Sequence, residues 1–208
     1  MHKFGILLSG RGSNFIAIAD ALERGEIPGA EIAVVISNRL EAPGIAAAQA
    51  RNISAKVIES KGRDRAEHDA EIIAALQERE VDLICLAGYM RLLTVEFVQA
   101  FPQRILNIHP SLLPAFPGLD AQRQALDYGA TIAGCTVHFV DEQLDHGVIV
   151  LQRAVPILDT DDEAALSARI LAEEHKVYPE AIVKVLSGKY KIQGRRYLIA
   201  GEKTGETT

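Results

Sequence analysis

Three polar side chains in the second half of the chain have the types that polar chemistry at a carbonyl group requires. Asn107 and His109 stand two residues apart, and Asp145 follows in a separate polar segment. An imidazole supplies acid or base chemistry near neutral pH, and a carboxamide donates a hydrogen bond to a developing oxyanion. A carboxylate can orient the imidazole or accept a proton. The set therefore favours acid–base chemistry that needs no metal.

The local structure around these residues decides whether they can act together. A strand over residues 104–109 would place Asn107 and His109 on one face, roughly 7 Å apart. Asp145 lies in a polar connection between two predicted strands, from which its carboxylate can fold back toward His109. A histidine at a strand end is more often structural than catalytic when taken alone. The downstream acid shifts the interpretation toward catalysis.

The elements that must position these residues alternate between short apolar runs and helical patterns, which is typical of parallel strands joined by crossover helices. We predict strands over 3–9, 31–37, 55–59, 83–87 and 104–109, and helices over 13–24, 43–51, 64–79 and 95–101. Further along we predict a helix over 119–128, an antiparallel strand pair over 133–140 and 148–156, a long helix over 162–186 that Pro179 can kink or divide, and a ribbon over 189–199. The fold class is therefore α/β, a mostly parallel twisted sheet with helices on both faces and antiparallel strands in the C-terminal part.

Composition and charge narrow the class of protein. The 208 residues are 48% hydrophobic, which is sufficient for the core of one domain. The net charge of −6 disfavours general nucleic-acid binding, which depends on clustered Lys and Arg. Cys85 and Cys135 are predicted to be buried reduced thiols. No run approaches the roughly 18 apolar residues of a membrane span, and no export signal is evident. We therefore expect a soluble cytoplasmic protein.

A glycine-rich turn between the first strand and the first helix is the second candidate site. In Ser9-Gly10-Arg11-Gly12-Ser13-Asn14 the glycines let the backbone approach an anion, and free helix amides favour a phosphate. A helix cap, with Ser13 or Asn14 satisfying those amides, is equally supported by the residues alone. A dinucleotide site is disfavoured because Phe15 replaces a glycine and Ser37-Asn38-Arg39 lacks the acid that binds a ribose. The position at the carboxyl edge of the sheet favours phosphate.

The third candidate is the segment 86–93, which leaves the fourth predicted strand at the same edge. Met90, Leu92 and Leu93 can form an apolar slot for a flat ring, although core packing is the commoner role for such side chains. Arg91 is less easily explained by packing.

The other five histidines are treated as structural. His2 and His68 are predicted to be exposed, His138 to be a bonded residue within a strand, and His175 to lie on the last helix. His146 adjoins Asp145 without an evident task.

As a set, these residues resemble the phosphoribosylglycinamide formyltransferase family. The motifs span nearly the whole chain and are Gly10-Arg11-Gly12-Ser13-Asn14, Leu86-Ala87-Gly88-Tyr89-Met90-Arg91, Asn107-Ile108-His109-Pro110-Ser111-Leu112-Leu113-Pro114, Phe116-Pro117-Gly118-Leu119, Val137-His138-Phe139-Val140 and Leu144-Asp145. The resemblance implies transfer of a formyl group from 10-formyltetrahydrofolate to the amine of glycinamide ribonucleotide, the third step of de novo purine synthesis. It also implies a formyltransferase-type fold with no metal.

The resemblance implies specific roles for residues of this chain. It assigns catalysis to Asn107, His109 and Asp145, in agreement with the chemistry above. Substrate binding is expected at Gly12, Ser13 and Asn14 for the phosphate and at Glu174 for the sugar hydroxyls. Folate is expected to lie against Arg65, Met90, Arg91, Leu92, Leu93, Val140, Asp141 and Asp145.

The implied organisation is one formyltransferase domain over 1–200. A phosphate-binding half of about 1–100 precedes a folate-binding and catalytic half of about 101–200, and residues 201–208 are expected to form a flexible tail. The expected partners are the two small-molecule substrates, with no nucleic acid and no membrane, and the chain is expected to be a monomer or a homodimer.

Two segments depart from the family pattern, and two other functions remain open. Asp120-Ala121-Gln122 replaces the more usual His-Thr-His, and His146 stands where a small residue is common. The alternative enzyme is formyltetrahydrofolate deformylase, in which water replaces the amine. The alternative without catalysis is a module that binds a phosphorylated ligand.

Overall fold

The computed structural model describes residues 1–200, which form a nine-stranded sheet with six helices. The strands are β1 (His2–Leu8), β2 (Ala30–Ser37), β3 (Ala55–Val57), β4 (Leu83–Leu86), β5 (Ile105–His109), β6 (Ile132–Phe139), β7 (Ile149–Pro156), β8 (Tyr190–Gln193) and β9 (Arg196–Ile199). The helices are α1 (Ser13–Glu23), α2 (Pro43–Ala50), α3 (Arg65–Glu78), α4 (Val95–Ala100), α5 (Ala121–Tyr128) and α6 (Glu163–Leu186). The tail expected over 201–208 lies outside the described residues.

The sheet has the order β3-β2-β1-β4-β5-β6-β7-β9-β8. The first five strands in this order, β3, β2, β1, β4 and β5, pair in parallel, whereas β6 is antiparallel to both β5 and β7. The short connection between β6 and β7 holds no helix, and so the chain returns antiparallel. Strands β8 and β9 form the expected antiparallel ribbon, and β9 joins β7. The predicted α/β class and its antiparallel C-terminal part are confirmed.

Helices cover both faces of the parallel strands. Alternate residues of β1 belong to different cores, because Ile6 packs with α1 and α6 while Leu7 packs with α3 and α4. All four residues of β4 are buried, as expected for a strand with helices on both faces. The two cores fix the central strands and therefore the ends from which the candidate site residues emerge.

Helix α6 ties the C-terminal part to the centre of the sheet. It begins after Asp162, whose side chain accepts a hydrogen bond from the amide of Ala165, and it continues through Pro179 without dividing. The buried hydroxyl of Tyr178 lies 3.1 Å from the carbonyl oxygen of Leu86 and 3.0 Å from that of Leu106, to which it donates its proton. This contact ties α6 to the end of β4 and to the beginning of β5.

The carboxyl edge of the sheet gathers the three candidate segments. The chain leaves β1 into the glycine-rich turn, leaves β4 into the segment after Leu86, and ends β5 at His109. Strand β1 lies between β2, which follows it in the chain, and β4, which the chain reaches from β3. The strand order therefore reverses at β1, and this is the switch point where open α/β sheets bind ligands. The candidate site is therefore at the position that this topology favours.

One predicted exposure is wrong, and the cysteines behave as expected. His68 is fully buried on α3, where its Nε2 lies 2.8 Å from the carbonyl oxygen of Ile58, because this face of the helix packs on the sheet. Cys85 and Cys135 are buried free thiols, and burial raises the pKa of each to about 12. Within residues 1–200 no helix combines the length and the apolar character needed to cross a membrane.

Candidate active site

His109 and Asp145 form a buried pair at the end of β5. The Nδ1 atom of His109 lies 3.4 Å from Oδ2 of Asp145, and the two side chains are 6% and 8% exposed. Asn107 precedes His109 by two residues on the same strand and therefore shares its face. The structure thus places the remote acid beside the imidazole, as the sequence predicted.

The backbone of the loop after β6 fixes the position of Asp145. Asp145 adopts a left-handed conformation with φ 50°, and its Oδ2 accepts a hydrogen bond of 2.8 Å from the amide of Gly118. Nearby, Gly147 leaves no room for a side chain, since a Cβ there would lie 1.7 Å from the carbonyl oxygen of Phe139. The loop conformation that aims the carboxylate therefore depends on a glycine.

The ring of His109 has a hydrogen-bond acceptor on each side. Its Nε2 lies 2.9 Å from the carbonyl oxygen of Phe116, while Nδ1 faces the carboxylate of Asp145. A ring with two acceptors is suited to carrying both protons, because each N–H then has a partner. The site can therefore hold an imidazolium, a cation whose charge can stabilise a negatively charged oxygen nearby.

His138 is part of the same cluster, which sequence reasoning missed. It pairs with Asn107 across β5 and β6, and its Nε2 lies 3.2 Å from Nδ2 of Asn107 and 3.9 Å from Oδ1 of Asp145. Burial lowers the pKa of His138, which favours the neutral ring. With its Nδ1 donating to the carbonyl oxygen of Phe139 at 2.8 Å, its Nε2 can accept a hydrogen bond from Nδ2 of Asn107. His138 thereby orients the amide of Asn107, and the second N–H of the Asn107 amide is left to donate elsewhere.

The residue type of His138 and its position in a strand could have indicated a functional role from the sequence. It is a polar residue inside an otherwise apolar strand, and a buried imidazole needs partners. The sequence could not identify its partner, Asn107, because the register between β5 and β6 is a property of the tertiary structure.

The glycine-rich turn leaves the first amides of α1 without side-chain partners. Gly12 is the N-cap with φ 71°, and no side chain within residues 1–200 caps the helix. The interpretation of Ser13 or Asn14 as a side-chain cap is therefore wrong. Helical geometry gives the amides of the first turn no intrahelical acceptor. The turn can consequently donate several N–H groups to an anion.

Asn14 instead directs its side chain to α6. Its Nδ2 donates a hydrogen bond of 2.7 Å to Oε2 of Glu174, and its buried Oδ1 has no partner among the described residues. Burial raises the pKa of Glu174, against the opposing effects of the Asn14 bond and of the charge on His109. Glu174 therefore lies between the turn and the catalytic cluster, although the sequence pattern alone gave it no role beyond the helix surface.

The segment after β4 presents apolar side chains to solvent. Met90 and Leu92 are 58% and 55% exposed, so that core packing does not explain them, whereas Leu93 packs against the core. Arg91 lies across the loop after β3, where its guanidinium donates to the carbonyl oxygens of Ser60 and Arg63, while its buried Nε has no partner in the part of the chain that the structure describes. The exposed apolar pair is consistent with a slot for a flat ring.

The loop after β6 carries a second network around His146, which sequence reasoning had left without a task. His146 Nδ1 lies 2.8 Å from Oδ2 of Asp141 and its Nε2 lies 2.7 Å from Nη1 of Arg195, in the turn between β8 and β9. The C-terminal ribbon thereby contacts the loop that carries Asp145. Val140 begins this loop, whereas Arg65 is exposed at the start of α3.

These side chains form a site for polar chemistry. A carboxamide donor, an imidazole and a carboxylate border one small volume beside a turn of free amides. Within residues 1–200 no group of three or more His, Cys, Asp or Glu side chains is arranged to hold a metal ion. The arrangement can stabilise an oxyanion and move a proton.

Comparison with known proteins shows one family throughout. A family model described as formyl transferase matches residues 2–182. A phosphoribosylglycinamide formyltransferase of Haemophilus influenzae is 41% identical over 97% of this chain and 95% of that protein. The trifunctional purine biosynthetic protein adenosine-3 of Drosophila pseudoobscura is 47% identical over 89% of this chain. This chain spans only 14% of the length of that trifunctional relative.

Solved structures show the same likeness. The crystal structure of glycinamide ribonucleotide transformylase 1 from Symbiobacterium toebii has a TM-score of 0.93 and 51% identity, over 96% of this chain and 94% of that one. A formyltetrahydrofolate deformylase from Pseudomonas syringae shares the fold with a TM-score of 0.90 at 22% identity, and this match covers 96% of this chain and 66% of that one.

Proposed function

We propose, since this chain belongs to the phosphoribosylglycinamide formyltransferases of the formyl transferase family, that it transfers the formyl group of 10-formyltetrahydrofolate to the amine of glycinamide ribonucleotide in purine biosynthesis. The products are formylglycinamide ribonucleotide and tetrahydrofolate. The single observation that carries the proposal is the buried pair of His109 and Asp145 beside Asn107, at the ligand-binding edge of the sheet.

Asn107 and His109 are the proposed stabilisers of the oxyanion. Attack of the primary amine on the formyl carbon forms the new C–N bond and turns the carbonyl oxygen into an alkoxide. The free N–H of Asn107 donates to that oxygen, and the positive charge of the protonated His109 ring stabilises it. One such donor changes a turnover rate by about 10²–10³-fold in other enzymes. The tetrahedral intermediate then collapses, the bond to the folate nitrogen breaks, and the folate leaves as a secondary amine.

Asp145 has two proposed tasks. Its carboxylate holds the imidazolium of His109 by charge and geometry, which keeps the donor in place. It also takes the proton that the attacking amine must lose, through a water molecule where the distance requires one. The leaving folate nitrogen takes up a proton, so that no net proton is gained or lost by the site.

The substrate phosphate is proposed to bind at Gly12, Ser13 and Asn14. The support is the N-terminus of α1, where no side chain caps the first amides and where the backbone at Gly12 has a positive φ that favours glycine. Glu174 is the proposed acceptor for the sugar hydroxyls. It is held by Asn14 and lies between the phosphate turn and the catalytic residues, which suits a ribose between a phosphate and an amine.

The folate is proposed to lie in the slot formed by the segments after β4 and β6. The proposed contacts are Arg65, Met90, Arg91, Leu92, Leu93, Val140, Asp141 and Asp145. The exposed side chains of Met90 and Leu92 support an apolar ring site. The half of the chain before residue 100 would thus supply the phosphate site and part of the folate site.

The test is a turnover assay with and without the amine substrate. Pure protein is incubated with 10-formyltetrahydrofolate, and the release of tetrahydrofolate is followed before and after addition of glycinamide ribonucleotide. Release that depends on the amine is expected. Release without the amine would identify the hydrolase instead, and no release in either case would leave a binding module.

The setting and assembly of the enzyme are part of the proposal. We place it in the cytoplasm, acting on small molecules with no nucleic-acid or membrane partner, in line with its net charge of −6. The expected assembly is a monomer or a homodimer. Sedimentation of the purified protein distinguishes these states.

A further inference from the structure

Asn38 occupies the position at which a dinucleotide-binding fold carries its ribose-binding acid, immediately after β2. In this protein the side chain is only 5% exposed and faces inward. Its Oδ1 accepts a hydrogen bond of 2.6 Å from the hydroxyl of Ser9, which is 3% exposed and is the first residue of the glycine-rich turn that forms the proposed phosphate site. Asn38 therefore serves an internal contact rather than a ligand at this edge.

Ser9 holds the segment after β4, residues 86–93, at two points; this segment, part of the proposed folate site, is called the folate segment below. Its backbone amide donates to the carbonyl oxygen of Gly88 at 3.1 Å, and its hydroxyl oxygen accepts a hydrogen bond of 2.8 Å from the amide of Met90. Because the hydroxyl proton is directed to Asn38, a lone pair of the same oxygen is left to face Met90. Asn38 thus sets the orientation in which Ser9 can hold the segment.

A second branch returns from Asn38 to the same segment. The Nδ2 atom of Asn38 donates to the hydroxyl of Ser60 at 3.1 Å, and the amide of Ser60 donates to the carbonyl oxygen of Asn38 at 3.1 Å. The carbonyl oxygen of Ser60 accepts a bond of 3.2 Å from Nη1 of Arg91. Ser9, Asn38 and Ser60 therefore form a polar circuit whose two ends meet on Met90 and Arg91, adjacent residues of the folate segment.

We propose that Ser9 and Asn38 are positioning residues that couple occupancy of the phosphate turn to folate binding, an inference that rests on the proposed function. Phosphate bound to the first amides of α1 restrains the turn that begins at Ser9. Through its hydroxyl, Ser9 then restrains Met90, so that the second ligand meets a segment that is already ordered. The coupling is reciprocal, because each ligand must raise the affinity of the other by the same factor.

The experiment measures this factor directly with a complex that cannot react. Tetrahydrofolate, the product, is titrated by calorimetry into the full chain, alone and with saturating glycinamide ribonucleotide, and the ratio of the two dissociation constants is the coupling factor. For the unsubstituted protein we expect a factor of about five or more. Ser9→Ala and Asn38→Ala should bring it close to one.

The matched control is Ser37→Ala. Ser37 is a buried serine at the end of β2. Within residues 1–200 its hydroxyl bonds only to the backbone of Arg39, so that the change removes a similar hydroxyl without touching the circuit. Its coupling factor should equal that of the unsubstituted protein. Ser60→Ala, at a half-buried position, is the milder variant to use where Ser9→Ala fails to fold, and it should lower the factor in part.

The outcomes separate this inference from the proposed function. An unchanged factor in folded Ser9→Ala, an equal loss in Ser37→Ala, or a factor of one in the unsubstituted protein would overturn the coupling while formyl transfer in the turnover assay still stands. Failure of the unsubstituted protein to bind either ligand would overturn both. Coupling measured in a protein that shows no transfer would reject only the proposed function.

Discussion

The Nδ1 atom of His109 lies 3.4 Å from Oδ2 of Asp145, and the amide of Gly118 donates to that same carboxylate oxygen at 2.8 Å. The acid is thus held by the backbone of one loop while it faces a ring on β5. The burial of both side chains excludes most of the water that would weaken the attraction between the carboxylate and the ring.

Replacing the acid should remove turnover while nucleotide binding survives. Asp145→Asn keeps the shape of the side chain but lacks the charge that holds the imidazolium and the basicity that accepts a proton. We expect the turnover number to fall by about 10²–10⁴-fold. Steady-state kinetics and a separate titration of glycinamide ribonucleotide measure the two effects. A turnover number close to that of the unsubstituted protein would reject the role given to Asp145.

Removing the amide donor should lower the rate more than the affinity. Asn107→Ala deletes a proposed hydrogen bond to the alkoxide, which exists only after attack has begun. The expected loss in turnover number is about 10²–10³-fold, with small changes in both KM values. Should KM for the folate rise instead while the turnover number stays constant, Asn107 would be a binding residue and not an oxyanion donor.

Glu174 should lower the stability of the folded protein at neutral pH while it strengthens substrate binding. Burial raises its folded-state pKa above the ordinary value of 4.5, so its contribution to stability is most favourable below that pH and is lost as the pH rises through the folded-state pKa. Glu174→Gln should therefore raise the free energy of unfolding at pH 7 by about 1 kcal/mol and weaken nucleotide binding. Urea denaturation at pH 7 and pH 4 tests the sign. A stability gain that is larger at pH 4 would contradict this account.

His138 should make the protein less stable in mild acid. Burial lowers its folded-state pKa from 6.5, so below that pH the unfolded chain binds a proton that the folded chain resists, and stability falls as the pH drops. The charges that face the ring are Asp145, Asp141 and His109. His138→Gln should flatten the pH dependence of unfolding below about pH 6.5. His2→Gln, at an exposed position, is the control. An equal flattening of the pH dependence in that variant would contradict the assignment of the effect to His138.

Gly147 should be essential for the loop that aims Asp145. In Gly147→Ala the new Cβ would meet the carbonyl oxygen of Phe139 at 1.7 Å, and backbone atoms cannot rotate away as a side chain can. We expect a loss of about 1–3 kcal/mol in stability together with a large drop in turnover. The control is Gln143→Ala, an exposed residue of the same loop. Normal turnover by Gly147→Ala would show that the loop conformation does not matter.

The sequence by itself determined the succession of elements and the faces that they bury. Hydrophobic periodicity along one segment is a local property, so the strands and helices could be placed within a few residues of their observed bounds. The sequence also placed Asn107 and His109 on one face of β5, because the alternation of side chains along a strand depends on that strand alone. His68 was the exception, since a single polar residue on α3 gave no sign that its face of the helix is buried.

Only the tertiary structure decided which remote groups meet. The register of β5 against β6 brings His138 to Asn107, and the packing of α6 on α1 brings Glu174 to Asn14. The same applies to Ser9 and Asn38, which lie at the ends of different strands. Such contacts depend on strand order and loop path over the whole sheet. The types of the reacting groups can therefore be read from the chain, whereas their distances follow only from the fold.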